Sequence, residues 1–274
     1  MKHISLPNGF QLPALGLGTW NMGGGFWSRD VSQEDKVYTA IRHALDIGYT
    51  HIDTAEMYAD GYAEELTGRA VRDSGVPREK LFITTKVWHT NLAYADVHKA
   101  MDGSLRHLGV DYVDLYLIHW PNESVPLDET FRALNEIAAS EKARFIGVSN
   151  FNLPQLKQAQ ELSETPILTN QVPYSLTNRT YVQNGVLEYC QENDILLTAY
   201  TPIEKGKLKS HPVLETMAQK HHATPIQIAL AWLIQQKNVI TIPMSTNPKN
   251  ISANFAAGEI ILGDEDMATL NKVV

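Results

Sequence analysis

Cysteine is nearly absent from this chain: of 274 residues, only Cys190 is one. A disulfide needs two and a thiolate metal cage needs more, so both are excluded within the chain, and a reducing compartment suits the composition. Cys190 falls in a helix-like segment, where a lone cysteine behaves as a small buried hydrophobe. Long apolar runs are missing too. No stretch approaches the ~18 uninterrupted apolar residues of a membrane span, and the opening Met-Lys-His-Ile-Ser-Leu-Pro-Asn-Gly has no apolar signal core. A cytoplasmic protein without membrane contact is expected. Basic runs are lacking as well: 23 Lys+Arg stand against 31 Asp+Glu, a net charge of −8, which is the wrong footprint for nucleic acid.

What is present is a 43% hydrophobic content, enough for a large core, distributed in a repeating pattern. Asn8-Gly9 lies between two short apolar runs and predicts a type I′ hairpin over residues 4–15, covering the far end of a sheet. Leu15-Gly16-Leu17-Gly18-Thr19-Trp20 reads as a first inner strand, followed by a flexible Gly23-Gly24-Gly25 loop. A helix then opens at Ser32, with Ser32 and Asp35 as a box-like start and Val37, Ile41, Ala44 and Leu45 as its stripe, and Gly48 ends it. Seven more strand and helix pairs follow, with strands ending near Asp53, Lys86, His119, Asn150, Gln171, Tyr200 and Pro243.

Strands that are continuously apolar must be covered on both faces, which means a parallel sheet with helical crossovers. Eight such units in one chain close as an α/β fold, a (β/α)8 TIM barrel with the N-terminal β-hairpin closing its bottom. The doubly wound rival needs a third small residue after Gly16-Leu17-Gly18, and Asn21 stands there. No linker or low-complexity segment interrupts the pattern, so residues 1–274 are expected to form a single domain.

In a barrel the C-terminal strand ends share one mouth. Asp53, Tyr58, Lys86 and His119 all fall at such ends. An ammonium beside a phenol favours its ionised form and eases proton release, so Lys86 is expected to act on Tyr58, with Asp53 holding the lysine charged. His119 is placed to orient a substrate oxygen. One histidine and one carboxylate make no hydrolytic zinc site, so no metal is expected. Each residue alone has an ordinary structural reading, but four at one rim point to one site.

The motifs Gly16-Leu17-Gly18-Thr19-Trp20, His51-Ile52-Asp53-Thr54-Ala55 with Tyr58, Thr84-Thr85-Lys86-Val87-Trp88, Leu117-Ile118-His119-Trp120-Pro121, Ile146-Gly147-Val148-Ser149-Asn150-Phe151 and Thr169-Asn170-Gln171 carry a resemblance. The chain resembles the aldo-keto reductase family over essentially its whole length, and most of all its small bacterial members of the 2,5-diketo-gluconate and methylglyoxal reductase types. The resemblance implies an NAD(P)H-dependent oxidoreductase that reduces aldehydes, ketones or α-dicarbonyl compounds to alcohols. Tyr58 would be the general acid, tuned by Lys86 and Asp53, with His119 positioning the carbonyl. Ser149, Asn150 and Gln171 match residues that hold the nicotinamide carboxamide, and Tyr200 one that stacks on the ring. The implied cofactor set extends to Thr19, Trp20, Thr201, Ile203, Ser245, Thr246, Asn247, Asn250 and Asn254, and Trp20, Trp27, Trp88 and Trp120 would line the substrate mouth.

Two departures bear on specificity. The segments 120–127 and 202–211 are short where larger relatives carry substrate loops, which implies an open, weakly selective pocket. Met244 and Asn250 are neutral where NADPH-preferring relatives carry a lysine and an arginine. NADPH is still the expected cofactor, with a compressed preference that leaves NADH plausible, and a monomer acting on a small carbonyl substrate is expected. A noncatalytic nicotinamide-sensing module of the same fold is the alternative; a Schiff-base aldolase at Lys86 is disfavoured because Asp53 pairs with that lysine.

Overall fold

The computed structural model describes residues 2–6 and 8–273. β1 (His3–Ser5) and β2 (Gln11–Pro13) pair antiparallel with Ile4 opposite Leu12. Their connection is five residues long, with the Asn8 side chain accepting from the Phe10 N–H, so the predicted two-residue type I′ turn is replaced by a wider loop. Phe10 packs on Phe82 at the N-terminal end of an inner strand, ring centroids 5.7 Å apart, which places the hairpin across the barrel bottom as expected.

β3 (Leu17–Gly18) opens the barrel and is shorter than the six-residue strand read from the sequence. The glycine-rich segment after it is ordered, not a flexible loop: β4 (Gly24–Gly25) and β5 (Ser28–Arg29) form a small antiparallel ribbon with Phe26 and Trp27 at its tip. The remaining inner strands are β6 (His51–Asp53), β7 (Phe82–Val87), β8 (Val113–Ile118), β9 (Ala143–Ser149), β10 (Ile167–Pro173), β11 (Leu196–Tyr200) and β12 (Val239–Thr241). With β3 they run parallel in sequence order, and nearly every residue in them is buried. Inner strands buried on both faces explain the unbroken apolar runs.

The sheet closes on itself through residues just before β3. Leu15 bridges Thr241 in parallel, Gly16 N–H donates to the Thr241 carbonyl at 2.8 Å, and Gly18 N–H donates to that of Pro243 at 3.2 Å.

Helices α1 (Glu34–Asp46), α2 (Tyr62–Ser74), α3 (Tyr94–Leu108), α4 (Leu127–Ala139) and α5 (Leu153–Leu162) cover the first strands, α6 (Thr180–Gln183) and α7 (Val186–Glu192) the next, and α8 (Pro212–Lys220), α9 (Pro225–Gln235), α10 (Pro248–Ala256) and α11 (Asp264–Leu270) the last. α1 starts two residues later than expected, because Asp30 takes the capping role: its carboxylate accepts from the Ser32 N–H and hydroxyl and from Gln33, fixing a 3-10 turn first. α8 and α11 were not anticipated from the sequence. Each buries only two or three side chains, too few to show as a helical stripe. Among the described residues no helix is long and apolar enough to cross a membrane.

Closure depends on Gly18, where an added Cβ would stand 2.6 Å from the Ile242 carbonyl oxygen, a backbone atom. Gly18→Ala is expected to lose about 1–3 kcal/mol in urea unfolding through overpacking at this seam. Gly25→Ala, where a Cβ meets nothing within 4 Å, should be close to neutral. Equal unfolding midpoints for the two variants would contradict a tight closure.

Candidate active site

The polar centre of the barrel mouth is built around a buried ion pair. Lys86, on β7, is 0% exposed and donates from Nζ to Asp53 Oδ1 at 2.5 Å, to the Thr54 carbonyl at 2.7 Å and to the Tyr58 hydroxyl at 3.4 Å. Those three acceptors match the three protons of an ammonium. The second carboxylate oxygen of Asp53 accepts from Gln171 Nε2 at 2.7 Å, a bond that reaches from β6 across to β10. Behind the pair, Thr19 donates from both its N–H and its hydroxyl to the Asp53 carbonyl.

Tyr58 sits on a turn that folds back from β6. Ala59, Asp60 and Gly61 have φ of 53°, 55° and 76°, and the ribbon docks on this turn through Ala59 N–H to the Gly25 carbonyl and Trp27 N–H to that of Met57. Left-handed backbone at two adjacent non-glycine residues is costly, and it persists where the surroundings hold it, often at a functional site. His119 follows β8, with its N–H donating to the Val87 carbonyl. Its ring lies edge-on to Tyr58 at 5.6 Å and to Trp88 at 5.2 Å.

A second polar group flanks the first. The Asn150 amide donates to the His119 carbonyl and to Ser149 Oγ and accepts from the Tyr200 hydroxyl at 2.8 Å, while Ser149 Oγ donates to the Gln171 carbonyl. Asn150 itself takes a left-handed φ of 64°. Gln171 Oε1 makes no hydrogen bond within the described residues and lies at the cavity wall, open to an incoming donor.

These groups surround a cavity of about 490 Å³. Asp53, Tyr58, His119, Ser149, Asn150, Gln171, Tyr200, Thr201 and Ile203 all line it, as do Trp20, Trp88 and Trp120. Trp27 does not. It is 44% exposed and turns to a separate surface depression with Asp60 and Lys99, so its expected place at the mouth is corrected. Trp27 takes a left-handed φ of 46° at the tip of the ribbon, and Phe26 lines the cavity instead, packed between Trp20 and Trp88. Thr19 lies behind Asp53 and not on the cavity. Ser245, Thr246, Asn247, Asn250 and Asn254 also lie outside it, on the chain leaving β12 and on α10, where Asn247 caps the helix by accepting from Lys249 N–H. Sequence reasoning missed Phe26, Met57 and Lys205, which line the cavity. Two adjacent aromatics after three glycines were the available signal for Phe26; Lys205 had none.

Electrostatics differ from the expectation in one respect. Burial, then the Asp53 carboxylate, pushes the Tyr58 phenol well above its ordinary range, so the ammonium does not make it a readier acid here. Lys86 is itself pulled below its usual value by burial, against the pull of Asp53, and its charge is largely cancelled by that partner. His119 is held well below the imidazole range by burial, then by Lys86 and His89, and is neutral near pH 7. Tyr58 is therefore a protonated phenol beside a neutral imidazole. Among the described residues no group of three or more His, Cys, Asp or Glu is arranged to hold a metal.

The Aldo/keto reductase family matches this chain over residues 14–274. Methylglyoxal reductase YeaE of Escherichia coli (strain K12) is 35% identical over 277 residues, covering 99% of this chain and 94% of that protein. The 9,11-endoperoxide prostaglandin H2 reductase of Trypanosoma cruzi (strain CL Brener) is 36% identical over 274 residues, 98% of this chain and 90% of that one. Among solved structures, the thermostable aldo-keto reductase Tm1743, in complex with the inhibitor epalrestat, superposes with a TM-score of 0.96 at 42% identity over 100% of both chains. An aldo-keto reductase from Klebsiella pneumoniae in complex with NADPH superposes at 0.88 with 35% identity, over 99% of this chain and 94% of that one.

Removing one member of the buried pair leaves an uncompensated charge, whereas removing both does not. Asp53→Ala is expected to lose about 3–5 kcal/mol in urea unfolding, and adding Lys86→Met should recover most of that. Strictly additive losses in the double variant would show that the two side chains are not coupled.

Proposed function

The chain belongs to the aldo/keto reductase family, and from that premise we propose that its 274 residues work as one barrel domain reducing aldehydes, ketones or α-dicarbonyl compounds with Tyr58 as proton donor. Family membership makes it an enzyme, an NAD(P)H-dependent oxidoreductase acting on carbonyl compounds. The observation that carries the finer reading is the Tyr58 hydroxyl 3.4 Å from Lys86 Nζ at the wall of a cavity lined by aromatic rings.

The residues present suit a nicotinamide. Gln171 Oε1 is a free acceptor for a carboxamide N–H, Ser149 and Asn150 stand beside it, and the partly exposed Tyr200 ring offers an apolar face. When bound, the reduced nicotinamide supplies the hydride for the carbonyl carbon. The chain supplies the rest. As the carbonyl oxygen gains negative charge it becomes far more basic than a phenolate, so even a phenol with a raised pKa gives up its proton at that moment and not before. Hydride to carbon and the Tyr58 proton to oxygen give the alcohol and leave a phenolate, which meets the Lys86 ammonium. His119 Nδ1 is buried without a hydrogen-bond partner among the described residues, which favours the tautomer with its proton on Nε2, available to donate to the substrate oxygen.

The α-dicarbonyl class is supported by relatives named as methylglyoxal reductases at 35–37% identity. The aromatic mouth of Trp20, Phe26, Trp88 and Trp120 offers few polar anchors, which supports broad acceptance of small carbonyls, since apolar contacts discriminate by only about 1–3 kcal/mol per group. The reading includes a cytoplasmic monomer. The buried Cys190 thiol, pushed up to about 12, agrees with a residue kept reduced and unreactive.

Tyr58→Phe keeps the ring and removes the proton. It is expected to lower kcat/KM for a good aldehyde about 10²–10⁴-fold while leaving NADPH affinity unchanged. Turnover within about threefold of wild type, assayed by loss of NADPH absorbance, would remove Tyr58 from the role.

A further inference from the structure

Trp88, one wall of the cavity, stands where the ladder between β6 and β7 runs out. Phe82 N–H donates to the Thr50 carbonyl, Thr54 N–H to that of Thr84 and Glu56 N–H to that of Lys86, so Phe82, Thr84 and Lys86 pair toward β6 and the next residue in that series is Trp88. The chain leaving β6 has by then entered the Tyr58 turn, and Glu56 supplies the missing acceptor from its side chain. Its Oε1 accepts from the Trp88 N–H at 2.5 Å and from Asn91 Nδ2 at 3.0 Å. Both donors belong to one turn, residues 88–91, which Asn91 N–H closes by donating to the Trp88 carbonyl. Asn122 holds the same turn from the β8 side, donating from Nδ2 to the His89 carbonyl at 2.7 Å.

A carboxylate is a costly acceptor in this place. Glu56 is 9% exposed, burial lifts its carboxyl to about 7 against the bonds from Trp88 and Asn91, and its second oxygen takes no hydrogen bond among the described residues. An amide would satisfy the same two donors with no charge to bury; what the carboxylate adds is strength, since an ionised acceptor bonds roughly twice as strongly as a neutral one. That strength falls on the backbone of Trp88, whose ring meets His119 edge-on at 5.2 Å and Phe26 at 6.0 Å. The charged groups facing Glu56 are Glu64 of α2 and the His107 of α3 bonded to it, with Asp60, Asp96 and Lys99 around the surface depression that Glu56 also lines. The bond to Glu64 holds His107 above the usual imidazole range, so it is the other group that titrates near neutrality.

Resting on the carbonyl-reducing reading above, we propose that Glu56 is a positioning residue: it sets the Trp88 wall through the backbone of the 88–91 turn, and with it the preference of the site for carbonyl compounds that bear a ring over small aliphatic ones. The test measures KM and kcat for benzaldehyde and for propanal on the acid and alkaline sides of neutrality, together with hydrogen exchange at the Trp88 amide, in wild type, Glu56→Gln and Glu56→Ala. Glu56→Ala should raise KM for benzaldehyde roughly tenfold, as for one lost charge-assisted bond, with KM for propanal and both kcat values within about threefold, and its Trp88 amide should exchange about tenfold faster. Glu56→Gln, whose Oε1 accepts the same two protons, should keep the exchange protection and most of the benzaldehyde affinity. In wild type the carboxyl is protonated below about 7 and ionised above it, so the ratio of benzaldehyde KM to propanal KM should fall as pH rises through that value, and in Glu56→Gln it should stay flat. A trend that persists in Glu56→Gln would belong to His107 and overturn the proposal. So would an unchanged KM ratio in Glu56→Ala, or a kcat loss shared by both aldehydes, which would place the effect on Tyr58. If Glu56→Ala does not fold, a KM ratio in wild type that ignores pH overturns the proposal by itself. Wild type that reduces neither aldehyde, with Trp88 exchange as expected in all three proteins, would instead overturn the carbonyl-reducing reading and leave the anchoring of Trp88 standing.

Discussion

The mouth of this barrel depends on one interaction, the contact between Lys86 and Asp53 at 0% and 2% exposure. An ion pair withdrawn from water is stable only if its remaining hydrogen-bonding capacity is met. That requirement explains the architecture around it: Thr54 on the β6 end takes one proton of Lys86, Tyr58 faces another, and Gln171 on β10 closes the second oxygen of Asp53. Strands far apart in sequence are therefore fixed in relative height by bonds to two side chains. The bridge between Leu15 and Thr241 joins the first and last inner strands and completes the ring of strands around that centre.

The pair also shapes its neighbours' chemistry by cancelling itself. A bare ammonium 3.4 Å from a phenol would favour phenolate, but here Asp53 offsets the charge and burial outweighs what is left. The result is a neutral phenol and a neutral histidine against an apolar wall. Such a site holds its proton until a strong base forms within it, and so suits a reaction in which charge appears on oxygen only transiently.

Much of this was legible in the sequence, for physical reasons. Strands buried on both faces write continuous apolar runs, and a charged residue at the end of such a run has to be at a rim, which located Asp53, Lys86 and His119. The parts that were not legible depend on features without a linear signature. Whether Phe26 or Trp27 enters the cavity is decided at the two-residue tip of a ribbon only four paired residues in extent, where Trp27 turns left-handed, and the three glycines before it look like a flexible loop. The burial that raises the Tyr58 phenol is a property of enclosure, which neighbouring charges in the sequence do not report. Lys205 is carried to the rim by left-handed backbone at Glu204 and Lys205, residue types that give no warning of it.

The amide-lined side and the Tyr58 side of the cavity share their hydrogen bonds. Asn150, beside the open Gln171 oxygen, is bound at once to the His119 carbonyl, to Ser149 and to the Tyr200 hydroxyl, so the segment bearing His119 cannot shift without moving the ring wall. Gln171 likewise offers one amide atom to the cavity and the other to Asp53, the anchor of Lys86. A ligand group that takes Gln171 Oε1 thereby orients the amide whose N–H steadies the ion pair. The positions of the two walls are consequently set by the same few amides, and the left-handed backbone at Asn150 is maintained because its side chain joins the two.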